Sequence, residues 1–281
     1  MKTQRIAIGE TRGPFPVCCV NPITLMGALR HDSWRMRVGQ PNKGRFLDRP
    51  TPWVDPPAPG PTVVIDIDGP LANMDEFAHL IQAPKYKDRD WKAFHSHFGD
   101  AALNRAGGRL VRDLVDAGFT IAYTTTRLDT FMPTTDYWIR QKSLPPGHIE
   151  CREFWTDGTV RPSLDIKRRH WWKWVDKYED QSPVVAWIDD GPEAVAMLAE
   201  QGCPVWKFDQ LVVEHLAGNL LPTIERGPRP AEELAKQRAE ARPIFDEAEA
   251  EHQRKHKKWQ QAHVARMKQR QRERRQRRAQ S

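Results

Sequence analysis

The stretch Thr62-Val-Val-Ile-Asp66-Ile-Asp68-Gly-Pro-Leu-Ala-Asn73 constrains this chain more than any other. An uncharged, β-branched run reads as a strand buried on both faces, the kind found in parallel sheets. The run stops on two carboxylates spaced i, i+2, followed at once by Gly-Pro. A period of two puts Asp66 and Asp68 on the same side of the extended chain. They fall at the strand's C-terminal end, where open α/β sheets bind ligands. Neighbouring carboxylates repel and need a cation or a shared proton. A hard cation with oxygen ligands, Mg²⁺ first, answers that need. An acidic surface turn is the plainer alternative, since Asp and Gly are ordinary turn formers.

The chain has 281 residues, of which 39% are hydrophobic and 29% charged. That is room for one substantial domain with extensions. No apolar run approaches membrane-spanning length. The N-terminus has no apolar signal core, and Cys18, Cys19, Cys151 and Cys203 form no CxxC pair. The expectation is a reduced, cytoplasmic protein. Charge is uneven. From Gln253 to Ser281 there are twelve Lys or Arg against one Glu, so about +11 sits there. The formal total is +7, which leaves about −4 for everything before Gln253. The basic character belongs to a tail.

Residues 1–60 read as a poorly ordered extension ending in a Pro-rich linker. Short strands are conceivable at Ile6–Ile8 and Pro16–Val20, and a short helix at Ile23–Met36. From 61 to 225 strands and helices alternate. Strands are expected at 62–67, 119–123, 149–154, 184–188 and 204–208, and helices at 74–82, 90–98, 103–117, 133–142, 164–178 and 192–201. This pattern predicts an α/β fold with a doubly wound parallel sheet. From 226 to 281 the chain reads as a charged, basic helical tail, broken at Pro243 and solvated all round.

Four groups fall at strand ends or on the intervening helices. They are Asp66 with Asp68, then Thr124-Thr125-Thr126-Arg127, then Lys167, then Asp189-Asp190-Gly191. Hydroxyls and a guanidinium suit phosphate oxygens. Each group alone has a dull explanation: a helix N-cap, a solvated lysine, an acidic turn. His95-Ser-His97 invites a metal pair, but Trp91, Phe94 and Phe98 surround it with a core pattern. Trp171 and Trp174 share a helical face with Val175 and Tyr178, which favours core over base stacking.

In this order the four groups resemble the motifs of the haloacid dehalogenase (HAD) superfamily, over about Pro61 to Phe208. Within it, Asp68-Gly-Pro-Leu-Ala, Asp90-Trp-Lys-Ala-Phe94, Thr125-x-Arg127, Thr135-Asp-Tyr-Trp-Ile139 and Arg161-Pro162 resemble the phosphatase domain of polynucleotide kinase–phosphatases. The resemblance implies a HAD-like Rossmannoid sheet with a small cap insert at about Asn73–Asn104. It implies Mg²⁺ held by Asp66, Asp68 (through its carbonyl), Asp189 and Asp190, with Asp190 the direct ligand of that pair. Asp66 would be the nucleophile and Asp68 the acid–base residue. Thr125 and Lys167 would hold the phosphoryl group, and Arg127, Arg152 and Arg161 the substrate.

Two positions depart from the family's pattern. Pro70 stands where Thr is usual and removes a backbone N–H. Ser163 follows Arg161-Pro162 where related sequences often carry Asp. The implied function is a Mg²⁺-dependent phosphomonoesterase acting on nucleic acid ends, 3′-phosphates first. The sequence leaves two alternatives open: a phosphatase of free nucleotides, and a nucleic-acid-binding protein with an inactive HAD domain. No P-loop sequence is present, so no kinase half of that kind is expected. The tail is expected to contact nucleic acid or to be solvated.

Overall fold

The computed structural model describes residues 56–85, 88–153 and 161–280, without the side chains of 272 and 274–280. The strands and helix expected within residues 1–55 lie outside it. The strands are β1 (Thr62–Asp66), β2 (Ala72–Asn73), β3 (Ala102–Leu103), β4 (Thr120–Leu128), β5 (His148–Arg152), β6 (Val184–Asp189) and β7 (Val205–Lys207). The helices are α1 (Trp91–Ser96), α2 (Arg105–Asp116), α3 (Met132–Gln141), α4 (Ser163–Lys177), α5 (Pro192–Glu200), α6 (Phe208–Leu216), α7 (Leu220–Arg226) and α8 (Ala231–Gln280). A 3₁₀ segment covers Asp75–Ile81.

Five strands form one sheet in the order β5-β4-β1-β6-β7, and every neighbouring pair is parallel. Chain order therefore reverses on the two sides of β1, which is the topology of a Rossmann-like α/β fold. β1 is buried along its whole length. Val63 and Ile65 pack with Leu110, Leu114 and Ile139 on one face. Val64 packs with Trp171, Trp174, Trp187 and Leu198 on the other. The expectation of a strand buried on both sides is met, and both layers are helical.

Local chemistry sets the helix ends. Asn104 caps α2 by accepting from the Ala106 N–H at 3.1 Å, as a short polar side chain does for an orphan amide. The helix closes on Gly118 at φ +94°, where a side chain would be strained. Pro192 starts α5 in its first turn, where the missing N–H costs no bond.

Three features differ from the sequence expectation. β4 runs on to Leu128, so Thr124 to Arg127 belong to a strand and not to a helix cap. Two helices, α6 and α7, follow β7 where none was expected. α8 passes through Pro243 without ending. Proline in a helix interior costs about 3 kcal/mol, and contacts on both sides of it hold α8 in place. Ahead of Pro243, Arg238 lies over the Trp171 ring at 4.9 Å and Arg242 over the Trp172 ring at 5.1 Å. Beyond it, Phe245 stacks on Trp172 at 5.6 Å, and Glu249 pairs with Arg161 at 3.1 Å and Arg169 at 3.3 Å. The first half of α8 is thus docked, not solvated. At its start the backbone of Leu234 and Arg238 crosses so close to Gly202 that a Cβ there would meet the Leu234 carbonyl at 2.4 Å.

The three tryptophans of α4 are core, each 1–2% exposed. Their indole N–H groups donate to the Gln201 carbonyl, the Gln201 side chain and the Ser182 carbonyl. Between Asn73 and Ala102 the chain forms an insert, closed at its base by the antiparallel pair β2–β3. His95 there packs among Trp91, Phe98 and Phe131, and His97 stacks on Phe77. They serve the insert's packing.

Candidate functional site

Register brings the acidic groups together. Asp66 of β1 lies opposite Thr124 of β4, and Ile65 lies opposite Ile188 of β6. Asp66, Thr124 and Asp189 therefore lie side by side at the C-terminal end of β1 and β6, with Thr125 the next residue along β4. Lys167, in the second turn of α4, reaches into the same place. Its Nζ donates to Asp66 Oδ2 at 2.7 Å and to Asp189 Oδ2 at 2.6 Å. All three residues are buried. One ammonium between two carboxylates leaves a net negative site.

Asp66, Asp189 and Asp190 each present a carboxylate oxygen within 4.8 Å of the others. Asp189 has both oxygens engaged, one by Lys167 and the other by the Gly191 N–H at 2.9 Å. Asp66 differs: its Oδ1 is buried and has no hydrogen-bond partner. A buried carboxylate oxygen without a partner is costly, and a hard divalent cation shared with Asp190 fits it. Burial, with the Asp189 and Asp68 charges adding and Lys167 opposing, pushes the Asp66 carboxyl up to about 8. Burial and the adjacent Asp189 also raise Asp190. A cation at this position would restore both to the ionised form.

Asp68 faces a different set of partners. Arg127 holds it from Nε at 3.1 Å and from a terminal nitrogen at 2.6 Å, and Thr125 Oγ1 donates to it at 2.9 Å. The Arg127 guanidinium also donates to Thr135 at 3.3 Å and lies 4.1 Å over the Phe98 ring. Arg127 is thereby fixed, and Asp68 is aimed. The Asp68 carboxylate stands outside the cluster of the other three aspartates.

The loop after Asp66 is shaped by two glycines. Gly69 sits at φ +98°, and a Cβ there would lie 2.0 Å from Asp190 Oδ2. A Cβ on Gly107 of α2 would meet the Pro70 carbonyl at 1.9 Å. Asn104, the α2 cap, also donates to the Gly69 carbonyl at 3.3 Å.

Of the remaining expected residues, Arg152 ends β5 and Arg161 precedes α4. Arg161 donates to Glu249 at 3.1 Å and to His252 at 3.1 Å, both on α8. Neither partner was visible in the sequence, because about ninety positions separate them.

One element escaped sequence reasoning. His170 Nε2–H donates to the Cys151 carbonyl at 3.2 Å, so Nδ1 accepts from the Thr124 hydroxyl at 2.8 Å. This bridge ties α4 to β4 and β5 beside Thr125. The signal available was spacing: His170 follows Lys167 by three and shares its helix face. Burial holds His170 down at about 4 against the Glu150 charge, so the imidazole is neutral in the folded protein. An unfolded chain would bind that proton below about 6.5. Stability from His170 is complete above pH 6.5 and is lost as pH falls towards 4. The expected loss between pH 6.5 and 4.5 is on the order of 2 to 3 kcal/mol. Denaturant titrations of the parent and of His170→Gln across that window measure it. The same pH dependence in both would refute the assignment.

No family model matches this sequence, and no curated protein matches it. Solved structures that align over part of it include two chains. One, from "Structure of the Pnkp1/Rnl/Hen1 RNA repair complex", has TM-score 0.40 and 17% identity over 52% of this chain and 42% of that one. The other, from "Structure of Pnkp1/Rnl/Hen1 complex", has TM-score 0.42 and 15% identity over 54% of this chain and 45% of that one. This chain spans less than half the length of either.

Proposed function

We propose that this chain is a Mg²⁺-dependent phosphomonoesterase of the HAD type, working through an aspartyl-phosphate and acting on 3′-phosphorylated nucleic acid ends. One observation carries the reading. Asp66 is fixed by Lys167 through one oxygen, its other oxygen is buried and unpartnered, and its carboxylate clusters with those of Asp189 and Asp190. A nucleophile needs that combination of a held side chain and an available atom.

In this reading Asp66 Oδ attacks phosphorus, the bond from phosphorus to the leaving oxygen breaks, and Asp68 gives that oxygen its proton. Asp68 then takes a proton from water, whose oxygen attacks phosphorus and releases Asp66 and inorganic phosphate. Thr125 and Lys167 donate to the phosphoryl oxygens as their charge grows. Arg127 keeps Asp68 in position. Mg²⁺, held by Asp66, Asp190 and the Asp68 carbonyl with Asp189 behind them, would supply charge neutralisation between carboxylate and phosphate. The polynucleotide substrate follows from the sequence resemblance and from the small size of the insert between Asn73 and Ala102.

The test is turnover of p-nitrophenyl phosphate, abolished by EDTA and restored by Mg²⁺. Next comes a comparison of 3′- and 5′-phosphorylated oligonucleotides with mononucleotides. Asp190→Ala should raise the Mg²⁺ concentration for half-maximal activity tenfold or more, because hard cations depend on charged oxygen ligands. An unchanged Mg²⁺ dependence would remove Asp190 from the site. Turnover indifferent to Mg²⁺ would sink the whole proposal.

A further inference from the structure

α8 lies antiparallel to α4, and its side-chain partners show the direction. Arg238 pairs with Glu179, Arg242 with Asp176, Phe245 with Trp172, and Glu249 with Arg169 and Arg161. As α8 numbers rise, α4 numbers fall. The N-terminal end of α4 is the end that carries Lys167, at the sheet edge with Asp66 and Asp189. α8 therefore leaves the body on the side of the acidic site, past Arg161. It is 50 residues long, about 75 Å at 1.5 Å per residue. From Arg254 to Gln271 all described residues are exposed except the half-buried His256 and Trp259.

The exposed half carries the chain's excess of positive charge. Arg254, Lys255, Lys257, Lys258, Arg266, Lys268 and Arg270 are spread around the helix, and five further arginines follow Arg270. Only Glu273 offsets them after Gln253. One stripe interrupts the charge: Trp259 stacks with His263 at 4.9 Å and with His256 at 6.2 Å. Ala241, Phe245, Glu249 and His252 precede this stripe on the same face at intervals of three or four. The face that docks on α4 thus continues beyond the body with flat rings. Positive charge around an arm with a short ring stripe fits a single-stranded phosphate backbone with stackable bases.

We infer that the second half of α8 is a nucleic-acid arm, gripping the strand whose terminal phosphate enters the Asp66 site. The placement relative to the strand end rests on the phosphatase reading, whereas the binding itself does not. The arm grips several nucleotides behind the end, so it favours long strands over mononucleotides.

Fluorescence anisotropy of full-length protein with a labelled 3′-phosphorylated single-stranded 20-mer, across a salt series, tests this. The comparison variant carries Lys255→Gln, Lys257→Gln, Lys258→Gln and Arg266→Gln. Glutamine preserves helix propensity, and circular dichroism checks the fold. Log affinity falls with log salt by roughly 0.7 for each single-strand phosphate contact. The variant slope should therefore be shallower by about 2 to 3. A 5-mer should show little difference between parent and variant. Equal slopes for the 20-mer, or tighter binding of the parent to anionic lipid vesicles than to the 20-mer, would overturn the inference. Loss of phosphatase turnover leaves this readout intact, so the two readings fail separately.

Discussion

Replacing Asp66 with Asn is expected to abolish phosphate monoester turnover, a loss of at least a thousandfold, while the fold stays intact. The amide keeps the shape of the side chain but cannot form the acyl phosphate. Its carbonyl oxygen can still accept from Lys167, which also keeps Asp189 at 2.6 Å. Burial already disfavours charge at position 66, so removing that charge should not lower the melting temperature. Circular dichroism melts and a Mg²⁺-supplemented assay read the two effects separately. Activity within tenfold of the parent, less than about 1.4 kcal/mol of barrier, would sink the nucleophile assignment.

Lys167→Gln is expected to damage both stability and catalysis. The ammonium is the positive group bonded to Asp66 and Asp189. Removing one partner of a buried ion pair costs about 3 to 5 kcal/mol. Some of that loss will appear as proton uptake by Asp66 or Asp189, so the variant should be more stable at pH 5 than at pH 8. Turnover should fall by about 10² to 10³, the usual cost of removing one donor to a developing oxyanion. Mg²⁺ should raise the variant's melting temperature more than the parent's, since the cation takes over part of the neutralisation. A variant melting within a degree or two of the parent at pH 8 would contradict the bridging role.

The sequence exposed the framework of the site more clearly than its surroundings. β1, β4 and β6 were legible because their apolar runs end abruptly in polar residues of one chemical kind. Parallel register alone brings Asp66, Thr124 and Asp189 level, with Thr125 the next residue along β4. α8 was misread for a physical reason. Its docking face carries few apolar residues, because Arg238 and Arg242 cover Trp171 and Trp172 with guanidinium planes. A search for hydrophobic periodicity passes over such a face. α6 and α7 leave little periodic signal, since each is short and only Leu211 of α6 and Leu220, Thr223 and Ile224 of α7 are buried. The short β2–β3 pair is below the length at which alternation can be seen. The partners of Arg161 belong to tertiary structure and leave no local trace.

Gly69 and Gly107 leave the chain little freedom at the place that matters most. A side chain at 69 would collide with Asp190, and one at 107 with the Pro70 carbonyl. The segment after Asp66 is therefore hemmed in on two flanks, by the Asp190 carboxylate at Gly69 and by its own Pro70 backbone against α2 at Gly107. In a library of random variants both positions should stand out as intolerant of even alanine, for reasons of space and not of chemistry. Inheritance of this loop is accordingly all or nothing. A lineage that lost Gly69 would have to rebuild the contact between the two acidic turns, and one that lost Gly107 the contact of α2 with Pro70, and neither could drift through intermediate side chains to do so.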